Sequence, residues 1–109
     1  MSESKSAVES LASELKRALA EVGAVNRSRQ ECLKRWSELR WLLQSAKPGE
    51  AITLTRKFEL ETAALRELDA RLAEAGRKAR EADGRLGAGV QAWALANRMA
   101  AARGRLHAA

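Results

Sequence analysis

The chain has one cysteine, one proline, one histidine and no tyrosine, and each scarcity closes off a class of protein. A lone Cys32 cannot form an intramolecular disulfide, which excludes a disulfide-stapled secreted scaffold and fits a reducing compartment. Isoleucine and valine together number five, and the only aromatics are three tryptophans and one phenylalanine. Pleated sheets are built from such β-branched and aromatic side chains, so a sheet is excluded as well. No apolar run approaches the roughly 18 residues that span a bilayer. The opening MSESKSAVES lacks the basic and apolar regions of a signal peptide, so the expected location is cytoplasmic.

The same scarcity removes most chemistry. The one histidine, His107, lies three positions from the end, where chains fray and a catalytic base is not held in place. One cysteine and one distant histidine do not make a metal site. The GRLGAG segment has no strand before it and so is not a phosphate loop; its glycines read as helix breakers. Glu59 with Glu61, and Glu81 with Asp83, read as solvated carboxylates among basic neighbours. An enzyme is not expected, nor is a cofactor or a small-molecule site.

What the chain does contain is helix. Alanine, glutamate, lysine, leucine and arginine account for 70 of its 109 residues, a mixture characteristic of coiled coils and long helices. Apolar side chains recur at alternating threes and fours through Val8, Leu11, Leu15, Ala18, Val22, Val25, Cys32, Trp36, Leu39 and Leu43, with Arg29 as the break. A second tract runs Ala51, Leu54, Phe58, Leu65, Leu68, Leu72, Ala75, Ala79, Ala82, Leu86, Trp93, Ala96 and Ala100, interrupted at Glu61 and Gly89. Such a repeat keeps one seam facing a partner helix. The expected core is Trp36, Leu39, Phe58, Leu65, Leu68 and Leu72.

Between the tracts stands SAKPGE. Pro48 suits the first turn of a helix and Glu50 its positive end, while Lys47 is pushed out of helical geometry by the proline after it. In an antiparallel pair, facing residue numbers share one sum. Leu43 with Leu54, Leu39 with Phe58, Cys32 with Leu65, Val25 with Leu72 and Leu11 with Leu86 all give 97, which centres the fold-back at Pro48–Gly49. The expected fold is therefore all-α: an antiparallel, coiled-coil-like helical hairpin forming one domain over 1–109. Helix 1 covers about 4–46, the turn 46–49 and helix 2 about 48–84. Gly84, Gly87 and Gly89 then predict a break over 84–89. A new stripe at Ala88, Ala92, Leu95, Met99, Ala102 and Leu106 predicts a basic C-terminal helix over about 88–106, which permits a third element closing the hairpin. The polar seam residues Arg29 and Glu61 are expected to fix register.

Net charge is +6, and its excess is uneven. Residues 84–109 carry Arg85, Arg98, Arg103 and Arg105 and no acid, a basic tail that suits an anionic partner. Off the seam, Trp41, Leu42, Ile52 and Leu60 gather near the turn. Large apolar groups at outer positions either pack on further helices or form a binding hot spot. An alanine-rich seam is thin, so dimerisation or a partner is expected to add stability. The functional expectation is a non-enzymatic protein–protein interaction module, an adaptor, chaperone-like or assembly subunit, that binds a protein partner or itself. A small basic nucleic-acid-binding protein is the less favoured alternative. Far-UV circular dichroism should show well over half of the residues helical; a strand-dominated spectrum would end this reading.

Overall fold

The computed structural model describes the backbone of residues 2–108 and the side chains of residues 5–106. It contains two helices, α1 (Ser2–Gln44) and α2 (Pro48–Ala108), and no strand among the described residues. The all-α expectation holds. The helices are long because nothing inside them stops propagation: once nucleated, each further residue adds a hydrogen bond at little cost.

The connection obeys local chemistry. Ser45 N–H donates to the Leu42 carbonyl at 3.3 Å, a tightened last turn that ends α1. Lys47 stays outside both helices, and its carbonyl accepts from the N–H groups of Glu50 at 3.0 Å and Ala51 at 2.9 Å. Lys47 therefore caps α2, Pro48 takes the first helical position, where no N–H is needed, and Glu50 lies in the positive first turn.

The chain divides into two compact units, one of Ala20–Gly76 and one of Met1–Leu19 with Arg77–Ala109. In the first, the turn unit, α1 and α2 pair antiparallel: Trp36 meets Phe58, Arg29 meets Asp69 and Cys32 meets Glu61. Its buried side chains among those described are Val25, Cys32 and Ala75, of which Cys32 is fully enclosed. The expected core residues Trp36, Leu39, Phe58, Leu65, Leu68 and Leu72 line the same seam but remain half-buried. A pair of helices covers each seam side chain from one direction only, and only the smaller groups disappear completely.

In the second, the terminal unit, Arg85 faces Glu14 at 3.7 Å, and Ala79 and Ala82 are buried. Gly89 abuts Leu11: a Cβ built on this glycine would lie 2.7 Å from Leu11 Cδ1. On that register Ser2 falls level with roughly Asn97, so α1 sets nothing opposite the last turns of α2. Trp93, Ala96 and Ala100, which continue the seam in sequence, are accordingly exposed.

Two expectations are corrected. The break over 84–89 does not form, because α2 runs unbroken from Pro48 to Ala108. No separate third helix over 88–106 is present either; that stretch is the end of α2. Each glycine costs a helix about 1 kcal/mol, which weakens it without supplying an alternative. A true stop would use a left-handed residue, and no glycine among those described has positive φ.

Around Gly84 and Gly87 nothing lies within 4 Å of an added Cβ. Gly84→Ala and Gly87→Ala should therefore each stabilise the chain by about 0.5–1 kcal/mol in urea unfolding. Gly89→Ala should gain less or lose stability, since Leu11 must move aside. Equal gains at all three positions would refute the close approach at Gly89.

Candidate partner-binding site

The four off-seam residues named from sequence all belong to the turn unit. Trp41 and Ile52 are each 72% exposed, Leu60 is 67% exposed, and Leu42 is half in solvent. Their heptad positions explain this. Helical geometry advances about 100° per residue, which puts Trp41 on the back of α1, opposite the Trp36–Leu39–Leu43 seam.

The structure does not gather all four into one patch. Leu42 and Leu60 line a common groove with Arg35, Leu39 and Lys57. Leu42 also borders a groove at the turn with Gly49, Thr53 and Leu54. Trp41 instead closes a separate groove along α1, beside Leu33, Lys34, Ser37 and Glu38. Ile52 lines none of these three grooves.

Beneath this surface lies a polar layer that holds the pair in register. The Cys32 thiol, 0% exposed, donates to Glu61 Oε2 at 3.2 Å and lies 3.5 Å from the Glu61 carbonyl. Arg35 Nε donates to the other carboxylate oxygen at 3.0 Å. Glu61 is thus a half-buried partner of both residues, which corrects its reading as a solvated carboxylate. One residue on, Trp36 Nε1 donates to Thr62 Oγ1 at 3.0 Å, and that hydroxyl donates to the Phe58 carbonyl at 2.8 Å. The Trp36 ring lies 5.2 Å from the Phe58 ring and beneath the Arg40 guanidinium at 5.6 Å. Arg29, the other seam break, reaches Asp69 at 2.5 Å.

Sequence reasoning placed Cys32 opposite Leu65 and missed that Glu61, one turn away, reaches it diagonally. The one-turn offset was the available signal. Thr62 carried no signal, since its hydroxyl matters only once Trp36 is above it. Asp69 stands beside the seam residue Leu68, a flanking position where charge pairs form in coiled coils.

The electrostatics of the layer follow from burial and pairing. Burial, then the hydrogen bond to Glu61, pushes the Cys32 thiol above its ordinary 9.0. The hydrogen bonds from Cys32 and then Arg35 hold the Glu61 carboxyl below its ordinary 4.5, and the Glu61 hydrogen bond raises Arg35. A buried, protonated thiol is a poor nucleophile, and the opposing pull of Arg35 is smaller than the effects of burial and Glu61.

The basic-tail residues Arg85, Arg98, Arg103 and Arg105 are all exposed in the terminal unit, with Arg85 beside Glu14. The His107 side chain lies outside the described residues. Among the described residues no group of three His, Cys, Asp or Glu is placed to hold a metal, and no helix is long and apolar enough to cross a membrane. Comparison with protein-family models, characterised proteins and solved structures finds no match.

Two measurements check the polar layer. A carboxyl depressed in the folded state adds stability in full above pH 4.5, which is lost as pH falls through the lower folded value. A raised thiol adds stability in full below pH 9.0, lost as pH rises through the higher folded value. Urea unfolding across pH should thus show an acid fall that Glu61→Gln reduces and an alkaline fall that Cys32→Ala reduces. Unchanged profiles would remove both groups from the account. Native Cys32 should also react with a disulfide reagent about a hundredfold or more slower than in urea; equal rates would place the thiol at the surface.

Proposed function

We propose that the chain is a non-enzymatic protein–protein interaction module, an adaptor or assembly subunit whose turn unit presents apolar side chains to a protein partner or to a second copy. One observation carries this reading. A chain with four aromatic residues leaves Trp41 72% exposed, alongside Ile52 and Leu60 exposed to similar degree. Tryptophan is the side chain most enriched among binding hot spots, and leaving it in water wastes its apolar area. The buried side chains among those described include three alanines, each contributing about 0.8 kcal/mol per methyl. Association therefore has stability to add. A reducing, cytoplasmic setting suits the single thiol. Nucleic-acid binding is the weaker alternative, since four arginines over residues 84–109 give few phosphate contacts.

The test contrasts two tryptophans. Trp41→Ala should leave helical content intact and change folding stability by no more than about 0.5 kcal/mol. It should weaken self-association in sedimentation, or capture of a partner from lysate, by about 2 kcal/mol or more, roughly thirtyfold. Trp36→Ala removes the contacts to Phe58, Thr62 and Arg40, so it should cost about 2–3 kcal/mol of folding stability, less than a full core truncation. If both substitutions unfold the chain equally, Trp41 is packed and the turn unit has no claim to a partner. Affinity for DNA or RNA that falls steeply with salt would favour the alternative.

A further inference from the structure

The last part of α2 carries a second apolar repeat that its own hairpin partner does not use. Ala88, Ala92, Leu95, Met99, Ala102 and Leu106 are spaced alternately by four and three. Because α2 is unbroken here, helical geometry fixes where these residues point. At about 100° per residue they fall in a strip about 80° wide, centred about 140° from the Ala79, Ala82, Leu86 and Gly89 line that faces α1. Leu95, Met99 and Leu106 are at least half exposed, Leu106 by 78%. The strip therefore points away from α1.

Its width and its flanks identify the occupant. A strip of two positions in seven is a coiled-coil seam, whereas a helix lying on a membrane presents a broader apolar face. In the matching heptad frame the flanking positions hold Gly89, Gln91, Ala96, Arg98, Arg103 and Arg105. Every charge among them is positive, and residues 84–109 contain no acid to offset it. A second copy meeting the same face would set arginine against arginine, an arrangement coiled coils use to reject a partner.

We propose that the outer face of α2 over 88–106 pairs with an amphipathic helix of another protein, one with an apolar heptad seam flanked by glutamate or aspartate. This deepens the interaction-module reading at a surface other than Trp41. Arg98, Arg103 and Arg105 select the partner's charge, and Leu95, Met99 and Leu106 supply the buried contact.

The experiment uses the full chain and two fluorescent designed peptides of about four heptads, identical in their leucine seam. One carries glutamate at the flanking positions, the other lysine. Anisotropy at low salt should show the acidic peptide bound at least about tenfold tighter. The triple variant Arg98→Glu, Arg103→Glu, Arg105→Glu should reverse that order. Met99→Asp, and separately Leu106→Asp, should abolish binding of the acidic peptide with circular dichroism unchanged, while Trp41→Ala leaves it intact. Equal binding of both peptides, or of neither, overturns the proposal. So does binding that survives both aspartate variants, or that Trp41→Ala removes. Two further arms distinguish other occupants, and either positive result also overturns it. One is binding to phosphatidylserine vesicles, in place of the peptide, that Met99→Asp removes; the other is self-association that Met99→Asp removes. Failure here with the Trp41 contrast intact leaves the interaction-module reading standing, and the reverse outcome separates the two equally well.

Discussion

Two helices can bury only the stripe each turns toward the other, and that constraint governs everything else in this chain. The seam is narrow and much of it is alanine. Small side chains let helices approach closely, and Ala75, Ala79 and Ala82 are buried for that reason. The larger seam residues keep one side in water, since no third layer exists among the described residues to cover it. An apolar group placed anywhere off the stripe has nowhere internal to go. Trp41 on the back of α1 and Leu106 near the end of α2 are exposed for the same geometric cause.

A thin apolar seam specifies register weakly, because one alanine layer resembles the next. The turn unit answers this with polar contacts that tolerate only one alignment. Glu61 accepts from Cys32 and Arg35 together, and Trp36 finds a hydroxyl at Thr62 that in turn bonds to the Phe58 carbonyl. A slip by one heptad would set Glu61 against Val25 or Leu39 in place of Cys32 and strand its carboxylate, and an unpaired buried polar group costs about 1–3 kcal/mol. Surface pairs such as Arg29–Asp69 contribute less to stability, but they reinforce the same alignment.

The helices, the turn and the antiparallel pairing were legible because each is written in local or periodic signals. The threes and fours mark the seam, and Pro48 marks the first turn of α2. The shared sum of 97 is approached in the turn unit by Arg29–Asp69 and Trp36–Thr62, each of which gives 98. The course of α2 past Gly84 was not legible, because glycine lowers helix stability without dictating a replacement, and a stop needs a positive-φ residue that sequence alone does not reveal. The diagonal reach of Glu61 to Cys32 depends on side-chain length and rotamer, which a pairing rule between facing residues omits. Heptad position separates Trp41, Leu42, Ile52 and Leu60 from the seam, and all four are exposed. Their distribution over different grooves follows from which helix each rides on.

Gly84, Gly87 and Gly104 have open space where a side chain would sit, so these three positions add backbone hydrogen bonds and no side-chain contact. Amide exchange through such a stretch follows local opening, with free energies graded toward zero at the end of the helix. A helix end that opens in this way gains order from any surface that covers it. The free energy of ordering is then drawn from contact, which lowers affinity for the same buried area and leaves dissociation fast. For any surface that met this end of α2, the glycines would therefore shorten the lifetime of the encounter, independently of the side chains involved.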